Sequence, residues 1–348
     1  MKVLAAMSGG VDSSVAAALL IGGGHDVVGA TMKLWGGPSD QGCCSVADVD
    51  DARRVCHQLG IDHHVFNFTQ DFDAHVVAPY LDAHSHGRTP NPCVECNRHL
   101  KFDRFLARAR QLGFGAIATG HHAQVMRDAD GVYELRRGAD AAKDQSYVLH
   151  MLDQDALART LLPVGQMTKS EVRAHAERLG LRTAAKPDSQ DTCFLPQAGG
   201  REQFLGARIA LRPGRVVGRS GEPIGSVDAV ELVTVGQRRG LGTGPASEGG
   251  RARYAVDVDV ESATVTVGTL GDLMRDSQPV EALSWVHVPA GIGERVLVQT
   301  SAHGEASPAV FTGAGVAWRV PQRRVAPGQS VVLYDLDNNF VLGGGLAA

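Results

Sequence analysis

The chain has 348 residues, 43% of them hydrophobic, and a formal net charge of −4 at pH 7. This length predicts two or three domains with ordinary folded cores. No stretch approaches the roughly 18 apolar residues of a membrane span, and no signal peptide is recognised, so we expect a cytoplasmic protein with no membrane partner. The charge does not by itself predict a nucleic-acid partner, and six cysteines in such a compartment argue against a structural disulfide framework.

The chain begins with a pattern typical of a strand, a glycine-rich turn and a helix. Apolar runs at 3–6 and 15–20 flank residues 8–13, which read Ser-Gly-Gly-Val-Asp-Ser. Adjacent glycines allow a close backbone approach, and the N–H groups and dipole of a helix N-terminus favour an anion. The turn therefore predicts a phosphate site that matches neither a Walker loop nor a dinucleotide loop. A tight turn rich in small residues is the alternative.

A second predicted strand, 25–32, completes a βαβ unit and so predicts a parallel sheet. Ligands of such sheets lie at the carboxyl ends of the strands. Met32 is therefore a candidate for contact with an adenine, with a core methionine as the alternative. Residues 116–122 predict a further strand, which places Gly120 at the same edge. Cys43 and Cys44 are interpreted as structural cysteines, with a thiol role as the alternative.

The second motif reads Thr-Pro-Asn-Pro-Cys-Val-Glu-Cys-Asn over residues 89–97. Its two prolines predict an extended loop leading into a helix from about Cys96. A cysteine near a helix N-terminus with basic side chains nearby should have a lowered pKa, as a nucleophile requires. Cys93 and Cys96 also fit an iron–sulfur or zinc half-site or a dithiol redox pair, although no second Cys-x-x-Cys follows to complete a zinc ribbon.

Polar groups recur further along the first half of the chain. Lys143-Asp144-Gln145 opens a predicted helix with groups suited to substrate contacts, and a solvated helix cap is the alternative. Residues 168–171 form a capping box at the start of another helix. Cys193 follows a polar loop and precedes an apolar pair, which makes it a candidate reactive thiol.

Beyond residue 200 the sequence predicts β-rich modules. Short strands with glycine turns are predicted at 216–218, 230–235 and 254–260, and a small β-barrel begins at about residue 279. Residues 201–254 carry nine arginines against five acidic residues, a net charge of +4. Such a segment could follow a phosphate backbone, and a genomic bias toward arginine is the alternative.

Taken in order, these motifs resemble those of the tRNA-specific 2-thiouridylases over essentially the full length, and residues 8–13 resemble the PP-loop of N-type ATP pyrophosphatases. The matching motifs include Cys-Cys-Ser, Ala-Thr-Gly-His, Lys-Asp-Gln-Ser-Tyr, Asp-Ser-Gln-Asp-x-Cys-Phe, Val-Gly-Gln-Arg-Arg-Gly-Leu and Leu-Gly-Gly-Gly. The resemblance implies an α/β fold followed by β modules. The predicted domains are a parallel-sheet PP-loop catalytic domain over 1–198, a small β-rich tRNA-contacting domain over 199–272 and a C-terminal β-barrel over 273–348.

The resemblance also implies an activity, the ATP-dependent 2-thiolation of the wobble uridine of tRNA. ATP adenylates the C2 oxygen, a persulfide on Cys193 supplies the sulfur, and Cys96 then closes a disulfide with Cys193. The implied cofactors are ATP and Mg²⁺. The implied partners are tRNA and a sulfur-donor relay protein or cysteine desulfurase, and we expect a monomer.

Site residues follow from the same resemblance. ATP binding is predicted for Ala6, Met7, Ser8, Gly9, Gly10, Val11, Asp12, Ser13, Met32 and Gly120, with Asp12 at the Mg²⁺–pyrophosphate end. Contact with the target base is predicted for Asn91, Pro92 and Cys93, and contact with tRNA for His121, Lys143, Asp144, Gln145 and Gln329. No residue is predicted to hold a structural metal ion.

The chain departs from the family pattern in places. Some members have Asp, a suggested acid–base group, where this chain has Cys93. The alternatives for Cys93 are therefore that it acts as the base, that it joins Cys96 and Cys193 in an iron–sulfur site, or that it does neither. Residues 300–303, a family site for tRNA contacts, lack Arg and Tyr, so the expectation is either weaker contacts there or a shift of the contacts to His303 or Gln329. The alternatives for the whole chain are another PP-loop adenylating enzyme, amidating or cytidine-thiolating, and a non-catalytic Cys-x-x-Cys metal or redox protein that binds RNA.

Overall fold

The computed structural model describes residues 1–35, 45–188, 192–195, 200–242 and 252–348. Cys43 and Cys44, interpreted above as structural cysteines, lie outside these ranges. Among the described residues, no helix has both the length and the apolar character needed to cross a membrane.

A parallel sheet of five strands forms the centre of the N-terminal domain. In spatial order its strands are β3 (His63–Asn67), β2 (Asp26–Lys33), β1 (Lys2–Ala6), β4 (Ala116–Ala118) and β7 (Thr160–Leu161). The apolar residues of β1 and β4 are almost wholly buried, as expected for a sheet covered on both faces. The chain order reverses beside β1, and α/β sheets bind ligands at the crevice that such a reversal creates. The turn after β1 and Gly120 after β4 both lie at this crevice.

Helices cover both faces of the sheet. Within the described ranges the α-helices are α1 (Val11–Gly22), α2 (Val46–Leu59), α3 (Thr69–Phe72), α4 (Ala78–Ser85), α5 (Pro92–Glu95), α6 (Phe105–Gln111), α7 (Gln154–Leu157), α8 (Lys169–Arg178) and α9 (Gly200–Gly206). Local signals set their ends. Ser45 caps α2 by accepting a hydrogen bond from the Asp48 N–H at 3.1 Å, and the predicted capping box of Thr168 and Glu171 opens α8.

Two of these helices continue through a wider π-helical segment. Asp73–Val77 joins α3 to α4, and Cys96–Arg104 joins α5 to α6. The helix predicted to begin at about Cys96 therefore begins at Pro92, as α5. Proline is tolerated at the first position of a helix, and the Asn91 side chain caps this one by accepting a hydrogen bond from the Cys93 N–H at 3.0 Å. Cys96 is the first residue of the π-helical segment, a feature that often marks functional sites.

The central domain is built on a four-stranded sheet. Its spatial order is β10 (Tyr254–Asp259), β11 (Thr264–Gly268), β8 (Gly214–Val217) and β9 (Pro223–Val227). The strand predicted over 230–235 is wrong, because Val230–Leu232 forms a 3₁₀ turn instead. The buried Glu231 carboxylate accepts hydrogen bonds from the N–H and the Nε of Arg212, each at 2.9 Å, and this contact replaces a strand ladder.

The C-terminal domain is a closed barrel of six antiparallel strands. Their order is β12 (Met274–Trp285), β15 (Gly315–Arg323), β14 (Ser307–Phe311), β13 (Arg295–Gln299), β16 (Ser330–Tyr334) and β17 (Phe340–Ala347), and pairing of β12 with β17 closes the ring. The predicted fold class, a parallel-sheet α/β domain followed by a β-rich domain and a β-barrel, is confirmed.

A hairpin from the first half of the chain extends the barrel sheet. Its strands are β5 (Ala123–Arg127) and β6 (Tyr133–Arg137), and β6 pairs with β17 through Leu135 and Val341. The sequence did not predict this pairing, since partners so far apart in the chain leave no local signal. The N-terminal domain and the barrel therefore share one continuous sheet.

Candidate active site

The predicted phosphate loop, residues 8–13, comprises the end of the turn between β1 and α1 and the first residues of α1. Gly9 has a φ of +73°, and a Cβ there would lie 2.3 Å from the Asp48 carbonyl oxygen, so only glycine fits. The Ser13 hydroxyl accepts a hydrogen bond from the Ser8 N–H at 3.2 Å and donates to the Gly10 carbonyl at 3.1 Å. These contacts hold the loop in shape and leave the start of α1 at the sheet edge.

Gly120 and Met32 approach the loop from neighbouring strands. A Cβ on Gly120 would lie 2.6 Å from the Ser13 nitrogen and 2.7 Å from the Asp12 carbonyl carbon, so glycine permits close contact with the start of α1. Met32 is 8% exposed and belongs to the main apolar cluster. The predicted site residues on β1, β2 and β4 thus meet at one edge, and their contact with a nucleotide stays a prediction.

The Asp12 carboxylate has two nitrogen partners, on Lys169 and His122. The Lys169 ammonium donates to both of its oxygens at 2.7 Å, and the Nε2 of the buried His122 lies 3.1 Å from Oδ1. Burial acts to raise the pKa of Asp12, but the hydrogen bonds from His122 and Lys169 outweigh it and lower the pKa below the usual range. Asp12 is therefore ionised at neutral pH and positioned to hold a cation.

A second carboxylate, Asp188, gathers three basic side chains. Lys143 donates to it at 2.8 Å, Arg173 at 2.6 Å, and Lys169 lies 3.0 Å from Oδ1. Burial opposes ionisation of Asp188, yet its hydrogen bonds with Lys143 and Lys169 hold its pKa well below the usual range. Lys169 therefore bridges Asp12 and Asp188.

A third lysine fixes the loop itself. Lys186 donates to the Gly9 carbonyl at 3.0 Å and to the carboxylates of Asp48 and Asp51 at 2.7 and 2.8 Å. Sequence reasoning did not assign Lys169, Lys186, His122 or Asp188 to this site. The scarcity of lysine could have been a signal. The chain has only six lysines, none of them after Lys186, and three of the six lie at this site.

The three cysteines of the predicted site differ in burial. Cys96 is 7% exposed and belongs to the main apolar cluster, and Cys193 packs against the same cluster, whereas Cys93 is exposed. Cys96 and Cys193 thus both contact the main apolar cluster, which also includes barrel residues such as Tyr334, and the pairing of the two cysteines stays a prediction. Cys93 lies one helical turn before Cys96, on the outside.

An aromatic cage anchors the residue next to Cys193. Phe194 is 2% exposed, and its ring centre lies 4.9 to 6.2 Å from four other rings. These rings belong to Trp35, Phe72, Tyr80 and Phe204. Phe204 is part of α9, so residues from both sides of Cys193 in the chain fix the position of its neighbour Phe194.

The residues predicted to contact tRNA make mostly internal contacts here. His121 is 8% exposed, its ring lies 2.7 Å from the Thr119 hydroxyl, and burial places its pKa well below the usual range, with Lys101 adding to the effect. The Gln145 side-chain oxygen accepts from the His122 N–H at 2.9 Å, and Gln329 donates to the Thr89 carbonyl.

Lys143 and Asp144 differ in exposure. The Lys143 side chain is 43% exposed, whereas that of Asp144 is 7% exposed and pairs with Arg137 at 2.7 Å. In this structure Lys143 is thus the more accessible of the two, and the contact of all five residues with tRNA stays a prediction.

Family models match the chain in three successive segments. They describe a tRNA methyl transferase HUP domain over residues 1–197, a tRNA methyl transferase PRC-barrel domain over 202–269 and an aminomethyltransferase beta-barrel domain over 279–347.

Curated relatives match over almost their whole length. The chain is 46% identical over 357 residues to the tRNA-specific 2-thiouridylase MnmA of Mycobacteroides abscessus, covering 99% of this chain and 98% of that protein. It is 46% identical over 359 residues to the protein of the same name from Chloroflexus aggregans, covering 100% of this chain and 98% of that protein. A solved 4-thiouridine synthetase–RNA complex with bound ATP is 20% identical, with a TM-score of 0.38 over 56% of this chain and 44% of that chain, a similarity too low to support a conclusion.

Proposed function

Since the chain belongs to the family of tRNA-specific 2-thiouridylases and is a tRNA-uridine sulfurtransferase, we propose that it replaces the C2 oxygen of the wobble uridine with sulfur in two steps. ATP first adenylates that oxygen, and a persulfide on Cys193 then delivers the sulfur. The observation that carries the proposal is the meeting of the phosphate loop, Gly120 and the ionised Asp12 at the sheet crevice, in the domain that also holds Cys96 and Cys193.

ATP is the substrate that this crevice would hold. The N–H groups at the start of α1 would receive the phosphates, and the serines of the loop add hydroxyl donors. Met32 and Gly120 lie at the ends of the neighbouring strands, where the adenosine would extend. The nucleotide contacts thus come from Ala6–Ser13, Met32 and Gly120.

Magnesium fits the same site. Mg²⁺ prefers carboxylate and phosphate oxygens, and an ammonium already lies against both oxygens of Asp12, so this position favours a cation. Asp12 would hold the ion together with the phosphates. Bound Mg²⁺ would shield the negative charge of the polyphosphate.

Adenylation needs little covalent chemistry from the protein. The uridine C2 oxygen forms a bond to the α-phosphorus, the bond from that phosphorus to the bridging oxygen breaks, and pyrophosphate leaves with the electron pair. The work of this chain is to position the base and phosphate and to stabilise the developing charge. Asn91, Pro92 and Cys93 would frame the base, and the accessible Lys143 would contact the tRNA beside it.

Sulfur transfer uses the two cysteines. The terminal sulfur of the Cys193 persulfide attacks C2, the C2–O bond breaks and AMP leaves. The Cys96 thiolate then attacks Sγ of Cys193, the S–S bond to the transferred sulfur breaks, and the products are 2-thiouridine and a Cys96–Cys193 disulfide. A dithiol reductant restores the cysteines, and a relay protein or cysteine desulfurase reloads Cys193.

The test is incubation of the protein with ATP, Mg²⁺, tRNA, a dithiol reductant and a cysteine desulfurase with L-cysteine, which supplies sulfur at the persulfide level. Nucleoside mass spectrometry measures 2-thiouridine, while AMP and pyrophosphate are measured in parallel. We expect 2-thiouridine and AMP to form together. AMP without 2-thiouridine would support cleavage of ATP but overturn the sulfur-transfer step. Absence of AMP would overturn both adenylation and sulfur transfer.

Iron content separates the persulfide route from a cluster of Cys93, Cys96 and Cys193. We favour the persulfide because the three cysteines differ in burial. Cys93 is exposed, whereas Cys96 belongs to the apolar cluster against which Cys193 packs. Protein purified without oxygen should then thiolate tRNA with no stoichiometric iron. Activity that tracks bound iron would reverse this choice. An amidating enzyme would keep its activity after loss of both Cys96 and Cys193.

A further inference from the structure

The phosphate loop contains no basic residue. Between Met7 and Ser14 the one charged side chain is that of Asp12. A Walker loop, in contrast, carries a lysine that reaches the β- and γ-phosphates. A polyphosphate in the crevice of this protein therefore needs a cationic side chain from outside the loop, in addition to any metal ion.

Lys169 is placed to supply that charge. It is the first residue of α8, its side chain is 12% exposed, and its ammonium lies 2.7 Å from both oxygens of Asp12 and 3.0 Å from Asp188. An ammonium has three N–H donors, and these three contacts use all of them. The ammonium thus occupies the position beside Asp12 that a metal ion would take.

The two other lysines of the site serve different contacts. Lys186 is held between the Gly9 carbonyl and the carboxylates of Asp48 and Asp51, which makes it a support of the loop. Lys143 reaches Asp188 from a side chain that is 43% exposed. Of these three lysines, Lys169 is the one whose ammonium hydrogen-bonds to Asp12 in the described residues.

The position of Lys169 at the start of α8 requires anionic partners for its ammonium. Helix N-termini carry a partial positive charge, so a cation at the first position of α8 is unfavourable unless anions lie against it. In this structure Asp12 and Asp188 supply those anions. A Mg²⁺ ion held by Asp12 would compete with Lys169 for this carboxylate, and the ammonium would then need a different anion beside it.

We propose that Lys169 is a catalytic residue whose ammonium passes from Asp12 to the pyrophosphate portion of ATP. The inference rests on the proposed function and adds a residue to its adenylation step. Asp188 keeps the ammonium at the crevice while its contact with Asp12 is exchanged for a phosphate oxygen. As the bond between the α-phosphorus and the bridging oxygen breaks, the electron pair goes to pyrophosphate, and the ammonium stabilises that charge without giving up its proton.

Binding of ATP and of AMP, measured by calorimetry in the presence of Mg²⁺, tests the proposal. AMP lacks the β- and γ-phosphates, so Lys169→Gln should weaken ATP binding about tenfold or more while changing AMP binding less than about twofold. Lys169→Arg, which keeps the charge, should recover part of the ATP affinity. A merely structural role would weaken both ligands together.

Arg173→Gln is the matched control. It removes another cation from Asp188 but none from Asp12, so we expect it to leave the ratio of ATP to AMP affinity unchanged. Equal ATP affinity of Lys169→Gln and the unmodified protein, or an equal loss of AMP affinity, would overturn the inference. Failure of the unmodified protein to bind ATP would instead overturn the proposed function.

Discussion

The guanidinium carbon of Arg137 lies 3.8 Å from the centre of the Tyr334 ring. The same guanidinium donates to the buried Asp144 carboxylate at 2.7 Å and to the Asn338 side-chain oxygen at 2.6 Å. The Ser146 hydroxyl completes the link, because it donates to Asp144 at 2.8 Å and lies 3.1 Å from the Tyr334 hydroxyl. Barrel residues therefore hold the turn that carries the candidate tRNA-contacting side chains.

Arg137→Ala should lower the free energy of unfolding by about 3 kcal/mol, because it leaves the buried Asp144 carboxylate without its cationic partner. It should also raise the KM for tRNA, since the turn around Lys143 loses its support. Urea unfolding and steady-state kinetics measure the two effects. Arg323→Ala, on an exposed part of the barrel, should change stability by less than about 0.5 kcal/mol. Equal effects of the two substitutions would contradict the prediction.

Gly120→Ala should weaken ATP binding about tenfold or more, since the new Cβ would lie 2.6 Å from the backbone nitrogen of Ser13 and displace the start of α1. Calorimetry with ATP measures the loss. Gly22→Ala, at the other end of the same helix, has no atom within 4 Å of the added carbon and should leave ATP affinity unchanged. Normal ATP affinity of Gly120→Ala would show that this contact is unimportant for the site.

Asp12→Ala should reduce AMP formation at least about a hundredfold, because metal-assisted charge stabilisation contributes several kcal/mol. The release of AMP and pyrophosphate in the presence of tRNA measures the effect. Thermal unfolding of the variant serves as the control for folding. Cleavage at the normal rate would remove Asp12 from the Mg²⁺–pyrophosphate end of the site.

Cys193→Ser should abolish 2-thiouridine while AMP still forms, because a serine hydroxyl cannot carry a persulfide. Nucleoside mass spectrometry and AMP release measure the two steps separately. Cys56→Ala is the control, since Cys56 is fully buried in the core and burial raises its pKa to about 12, which makes it an unreactive thiol. Thiolation by the Cys193 variant would eliminate the persulfide role.

Acid should destabilise the protein partly through His150, whose complete burial lowers its pKa from 6.5 to about 3, with Arg98 adding to the effect. The unfolded chain binds a proton near pH 6.5 that the folded chain does not bind until about pH 3, so stability is lost as the pH falls through this window. Between pH 7 and pH 5 the free energy of unfolding should therefore fall by up to about 2 kcal/mol less in His150→Asn than in the unmodified protein. Urea midpoints at the two pH values give the comparison, and parallel losses would refute the prediction.

The sequence predicts the parts of the site that local chemistry determines. The phosphate loop depends on adjacent glycines before a helix, and Gly120 follows from its place at the end of a strand. Lys169 and Asp188 could not be found in this way, because the Lys169–Asp12 contact joins residues 157 positions apart. The capping box explained the start of α8 without indicating where the Lys169 side chain points.

Burial could not be predicted for polar side chains at the strand ends. His121 and His122 are adjacent and chemically alike, yet His122 contacts Asp12 while His121 contacts Thr119. Which neighbour faces the crevice depends on the packing of β4 and the hairpin that follows it. The sequence alone carries no measure of that packing.

The shared sheet has a consequence for the order in which the protein matures. Arg137 and its partner Asn338 are 201 positions apart, so during translation the hairpin of β5 and β6 emerges long before β17. Until β17 leaves the ribosome, the outer edge of β6 has no strand to pair with, and unpaired edges invite aggregation. The Lys143–Gln145 turn can be completed only when the last strand is made, so in a nascent chain the candidate tRNA-contacting groups would take their places late, after the predicted phosphate loop has formed.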